Sequence, residues 1–136
     1  MASIPAAYQD RFERRSFAFV ATLLPDGSPH VTPTWVDFDG EYLLVNTVQN
    51  NRKDKNVRND PRIALAIADP ENPYRYLSVR GEVVERRAEG AREHLDTLAE
   101  RYTGEANYAG PGGEDRVVFV IRADDISGQS PPSRDD

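Results

Sequence analysis

Apolar residues fall in short runs or partial alternations along most of the chain, a pattern that favours strands over long helices. Phe17–Leu24 is aromatic and branched, and closes on Pro25-Asp26-Gly27-Ser28. There proline fixes φ and glycine supplies the positive φ of a tight turn. A second strand is predicted over His30–Phe38, turned by Asp39-Gly40 into a third over Tyr42–Thr47. Ile63–Ala68 is almost continuously apolar and predicts a strand covered on both faces. Tyr74–Arg86 alternates in part around Gly81, where a long strand would bulge or bend. Val117–Ile121 predicts a last buried strand.

Helical signals are fewer. The first fifteen residues predict a short helix, with Pro5 in its first turn and Ala6, Ala7, Tyr8 and Phe12 on a partly apolar face. Asn50–Asn59 predicts a polar helix of about two turns, ended by Asp60-Pro61 because the residue before proline is pushed out of the helical region. Glu89–Tyr102 carries Ala91, Leu95, Leu98 and Tyr102 on one stripe and is the clearest helix. Thr103–Glu114 holds four of the nine glycines and predicts a loop, a candidate lid.

Six strands with two early hairpins and no regular strand–helix alternation exclude a doubly wound sheet. The fold class expected is mainly β, a small antiparallel barrel with short covering helices. Residues 1–127 form one domain and 128–136 a polar tail. A chain of 136 residues can bury roughly two-thirds of its unfolded surface without staples. No cysteine is present, which removes disulfides, thiolate metal sites and a cysteine nucleophile. No apolar run approaches the ~20 residues of a membrane span, and the N-terminus lacks a basic-then-apolar leader, so a cytoplasmic protein is expected. A net charge of −6 argues against general affinity for nucleic acid or anionic lipid.

One segment departs from that acidity. Arg52–Arg62 contains Arg52, Lys53, Lys55, Arg58 and Arg62 against Asp54 and Asp60, so the chain's −6 divides into +3 here and −9 elsewhere. With Asn50 or Asn51 as cap, Arg52 and Lys53 fall in a helical first turn, where the macrodipole is already positive. A bound phosphate would turn that conflict into an attraction. The competing interpretation is a solvated helix whose charges pair locally, such as Asp54 with Arg58 at i, i+4.

Other candidates are weaker. His30 and His94 cannot form a three-ligand metal site without carboxylates. His94 is expected on the helix surface, His30 in a structural role, and Trp35 as a core or interface aromatic. Asp124-Asp125 is expected to be a solvated turn pair. No Gly-x-Gly-x-x-Gly, Walker loop or Gly-x-Ser-x-Gly occurs.

The stretch Phe19–Asp37, then Val45-Asn46-Thr47, Arg52-Lys53 and Asn56-Val57-Arg58-Asn59-Asp60-Pro61-Arg62, resembles the pyridoxamine-phosphate-oxidase-like split barrels. The branch it is most similar to uses the deazaflavin coenzyme F420. Tyr74-Arg75-Tyr76 to Gly81 and Arg101–Glu105 extend the likeness to about residue 122; Lys55 stands where the family often has arginine. The resemblance implies a six-stranded split barrel, a homodimer and a cofactor cleft at the subunit interface. It implies that Arg52 and Lys53 hold the phosphate, and that Asn46, Thr47 and Asn56 contact the cofactor. His30, Thr32, Pro33, Thr34 and Trp35 would run beside the ring, with Tyr76, and Tyr74 beside it, lining the pocket from the partner. The implied activity is hydride transfer from reduced F420 to a small unsaturated or heteroaromatic acceptor. The alternatives are an FMN-binding oxidase or flavin reductase on the same fold, and a non-catalytic F420 carrier.

Overall fold

The computed structural model describes residues 2–129. Seven strands, β1 (Phe17–Leu23), β2 (Pro29–Trp35), β3 (Asp37–Phe38), β4 (Leu43–Val48), β5 (Arg62–Ala68), β6 (Tyr76–Arg87) and β7 (Arg116–Gln129), form one antiparallel sheet. Their order is β2-β1-β5-β6-β7-β4-β3. The sheet curls into a split barrel around Val20, Val45, Leu65, Leu77 and Phe119, all essentially buried.

The six strands expected are seven because His30–Phe38 is not one strand. It breaks at Val36, and the two pieces lie at opposite edges of the sheet. A single buried residue thus carries the chain across the open seam. Tyr102 clamps that crossing: its hydroxyl accepts from Val36 N–H at 3.2 Å and donates to the Ser16 carbonyl. Burial raises the Tyr102 pKa, which keeps the hydroxyl a donor.

Gly81 performs as its position suggests. The β6–β7 register shifts between Arg80 and Gly81, leaving Asp124 as the extra residue, and a Cβ at Gly81 would sit 1.8 Å from the Arg122 carbonyl oxygen. Only glycine permits that approach.

Three other expectations are corrected. β5 buries Ile63, Leu65 and Ile67 but turns Ala66 outward, so one face only is covered; alanine hides a period-two pattern because it suits either face. β7 runs well past Ile121, through an exposed Asp124-Asp125 paired with Arg122 and Arg80. Gly128 and Gln129 pair with Leu77 and Tyr76 rather than beginning a tail; the rest of the proposed tail lies outside the described residues. The N-terminal segment Ala6–Glu13 is a 3-10 helix that buries Arg11 and Phe12. The main helices are α1 (Arg52–Asn59) and α2 (Ala91–Thr103). Among the described residues no helix is long and apolar enough to cross a membrane.

Candidate functional site

The seam between β2 and β4 is closed from one side by α1. Asn50 turns the chain out of β4 with φ 66°, a region asparagine tolerates. Asn51 then caps α1, its side-chain oxygen accepting from Asp54 N–H at 2.9 Å while its Nδ2 donates to Thr47 Oγ1 at 2.7 Å. Asp54 is fully buried and accepts from Asn50 N–H at 2.8 Å. Its principal partner is Arg86 on β6, at 2.6 and 2.8 Å, rather than Arg58 at 3.8 Å. The first turn is therefore not purely cationic: Asp54 offsets part of the conflict between Arg52, Lys53 and the helix dipole. The cap serves Asp54 N–H and leaves the N–H groups of Arg52 and Lys53 without a partner among the described residues.

The two cations of that turn diverge. Arg52 lies along the exposed side of α1, donating to Asn56 Oδ1 at 3.0 Å, and Asn56 in turn donates to Thr22 Oγ1 at 3.0 Å. Lys53 reaches across the seam to β2, where Nζ donates to Thr32 Oγ1 at 3.0 Å. Burial holds the Lys53 pKa below the ordinary lysine value, and repulsion from Arg116 adds to the shift.

Arg116, at the start of β7, is the residue sequence reasoning missed. Its guanidinium donates to Asn46 Oδ1 at 2.8 Å and to the Gly112 carbonyl at 2.9 Å. Among the described residues no carboxylate lies within ion-pair distance of it. Its pKa is lowered, chiefly by burial, with Tyr108 opposing the shift and Arg92 adding to it. The neighbouring Glu114-Asp115 pair suggests local neutralisation in sequence, so only the fold exposes this uncompensated charge.

Asn46 is held in one orientation. Its Nδ2 donates to the Ala91 carbonyl at 2.8 Å and faces His94 Nδ1 at 3.2 Å, so Oδ1 is left for Arg116. A carbonyl can accept only, which fixes the amide and makes His94 Nδ1 an acceptor. His94 Nε2 then donates to Asp37 Oδ2 at 3.0 Å. Burial opposes ionisation of Asp37, but the bonds from His94 and Phe38 N–H and the charge of Arg101 outweigh it and lower its pKa. His94 is thus not the surface residue expected; α2 turns it inward over β4.

Beyond Asn46 the seam opens into a cleft of about 220 Å³ lined by Phe17, Pro33, Thr34, Trp35, Leu95, Leu98, Tyr108 and Arg116. Trp35 stacks on Tyr102 with ring centroids 5.0 Å apart, and meets Tyr108 edge-on at 6.1 Å. Tyr108 belongs to the Gly-rich loop, which is pinned rather than loose. Its N–H donates to Asp96 at 2.8 Å, and Arg92 donates to the Tyr108 and Gly113 carbonyls at 2.9 and 2.7 Å.

Of the residues singled out in sequence, Thr32, Pro33, Thr34, Trp35, Asn46, Thr47 and Lys53 converge on this seam. Asn56 supports it from within, while Arg52 points away along α1. His30 sits on the inner face opposite Thr22 with Nδ1 buried and unpartnered. Tyr76 is on the outer sheet face beside Ala68, and Tyr74 is exposed in the preceding turn; neither reaches the seam of its own chain. The outer face is apolar: Phe17 is 49%, Phe19 48% and Val31 62% exposed. No group of three or more metal-ligating side chains occurs among the described residues.

Comparison with known proteins sharpens this picture. The profile of a family described as pyridoxamine 5'-phosphate oxidase matches residues 4–130. A solved F420 reductase superposes with a TM-score of 0.80 at 34% identity, covering 91% of this chain and 98% of its own. A conserved hypothetical protein from Mycobacterium tuberculosis gives 0.68 at 25%, over 100% and 96%. HupZ of Group A Streptococcus, at 0.68 and 21% over 92% and 93%, shares the fold. No curated protein matches the chain.

Proposed function

The chain belongs to the pyridoxamine 5'-phosphate oxidase family, and from that membership and the geometry of the seam we propose that it is an F420-dependent reductase. In this reading it transfers a hydride from reduced deazaflavin to a small unsaturated or heteroaromatic acceptor. The observation that carries the proposal is Lys53: a half-buried ammonium held by one hydroxyl, beside two free N–H groups at a helix start. Such a corner fits a phosphate, which supplies the charge that the protein withholds.

When bound, reduced F420 supplies the hydride, and the chain supplies position, shape and charge. Lys53, oriented by Thr32, would hold the phosphate together with the N–H groups of Arg52 and Lys53. The Arg52 side chain adds field from the solvent side. Asn46 and Thr47 present fixed polar groups at the end of β4. β2 is a sheet edge: with Leu24 N–H donating to the Ser28 carbonyl, antiparallel alternation commits the backbone groups of His30, Thr32 and Thr34 to β1 and leaves those of Val31, Pro33 and Trp35 on the open edge, where Pro33 offers only its carbonyl. Trp35 and Tyr108 close the aromatic end and displace water from it.

The homodimer belongs to the same proposal. Exposed Phe17, Phe19 and Val31 support a second copy on the outer face, which is also the face from which Tyr76 would reach a partner's cleft. A cytoplasmic location accords with a chain without cysteine.

Titration of the purified protein with F420, and separately with FMN, tests the cofactor. Saturable F420 binding is expected; tight FMN binding with none of F420 would replace the deazaflavin by the flavin. Mixing reduced F420 with enone and quinone acceptors then separates a reductase, which turns over, from a carrier, which only binds.

A further inference from the structure

Lys53 and its helix end account for one anion. Arg116 is a second, separate cation in the seam, and the phosphate reading does not use it. Four half-buried arginines can be compared. Arg75 meets Asp69 at 2.7 Å, Arg101 meets Asp37 at 3.1 Å and Arg122 meets Asp124 at 2.7 Å. Among the described residues Arg116 has the neutral oxygens of Asn46 and Gly112 and the face of the Tyr108 ring, 5.8 Å from its guanidinium carbon, but no carboxylate.

That difference is built in. Asn46 cannot turn, because Ala91 and His94 hold its amide group, so it offers Arg116 an oxygen without a charge. The guanidinium is fixed in direction while its charge stays unneutralised, and Arg116 lines the cleft. Trp35, Tyr108, Phe17, Leu95 and Leu98 line the cleft with it. A rigid fork of donors in a cleft otherwise lined largely by aromatic and aliphatic side chains suits a carboxylate joined to an apolar body.

We propose that this end of the cleft binds the acceptor substrate as an aromatic or conjugated carboxylate, its charge on Arg116 and its apolar body beside Trp35. That the ligand is the acceptor rests on the reductase reading; that the pocket binds it does not.

Trp35 is the only tryptophan in the chain, so its fluorescence reports occupancy of the cleft directly. The probes are trans-cinnamate and its neutral methyl ester, titrated into the ligand-free protein. Cinnamate should change Trp35 emission saturably and bind roughly 10- to 100-fold more tightly than the ester, the factor a charge-assisted pair confers. Arg116→Met should bring cinnamate down to the ester, and Arg116→Lys should recover part of the gap. Equal binding of acid and ester by the unaltered protein would overturn the proposal, however the variants fold. Lys53→Met should weaken F420 and leave the acid–ester gap in place. Loss of F420 binding as a property of the unaltered protein, with the gap intact, would remove the reductase reading alone.

Discussion

Two clusters of charge in this molecule are built on opposite plans. At one end, Arg75 is held by Asp69 at 2.7 Å and Asp10 at 3.1 Å, with Arg14 joining Asp69 at 3.4 Å. This network ties the N-terminal 3-10 helix to the turn before β6. At the seam, Lys53 and Arg116 are held by Thr32, Asn46 and Gly112, none of them charged. The arginine pKa values move accordingly: Arg75 is raised, by hydrogen bonds to Asp10 and Asp69, and Arg116 is lowered, by burial. A cation neutralised by the protein serves the fold. One that the fold leaves unneutralised beside an open cleft, as Arg116 is, is available to a ligand, and its desolvation cost is recovered when that ligand arrives.

Deleting one arginine from each cluster is the strongest way to break the contrast. Arg75→Met leaves Asp69, which is 5% exposed, without its main partner, and should cost about 2–3 kcal/mol in urea unfolding. Arg116→Met should cost about 1 kcal/mol or less, since the unmet Asn46 oxygen is offset by removal of a desolvated charge. Equal losses would erase the distinction. Next in size, Lys53→Met should weaken F420 binding roughly 10- to 100-fold by calorimetry while leaving the unfolding midpoint unchanged or slightly raised.

Acid should separate the clusters again. Asp10 and Asp69 both lie below their ordinary value of 3.8 in the folded protein, Asp10 through its Arg75 bond, and Asp69 because bonds from Glu71 N–H and Arg75 outweigh burial. A carboxylate lowered by folding contributes stability that is full above its unfolded pKa and lost as pH falls through the folded one. The unaltered protein should therefore lose stability below about pH 4, and Arg75→Met should show a shallower loss over the same range. The smallest effect is expected from Arg52→Gln, about twofold on F420 affinity, because that side chain runs outward along α1.

Much of the scaffold could be read from residue order, because it rests on local chemistry. The Pro25–Ser28 turn, the bulge at Gly81 and the Asn51 cap each follow from conformations that few residues adopt. The position of Lys53, Asn46 and Thr47 at the seam was also legible, the first by its conflict with a helix dipole and the others by resemblance. What residue order did not carry is compensation. Arg116 follows Glu114-Asp115, and His94 sits among charged neighbours on α2, so both look locally satisfied or solvated. Their roles arise from strands distant in sequence that bring Asn46 to both of them. Val36 escaped notice for a similar reason: nothing local marks the one apolar residue at which a strand changes edges. The outward alanine of β5 escaped because alanine carries no directional signal.

The chain contains two lysines, Lys53 and Lys55, so a carbon NMR titration of the side-chain Cε resonances resolves each one. Lys55, exposed on the same helix, is the internal reference. Without ligand, Lys53 is expected to titrate below the ordinary lysine value, and to rise when F420 is added. A Lys53 curve at the ordinary value, unmoved by saturating F420, would contradict the central claim that the seam withholds a charge for its ligand to supply.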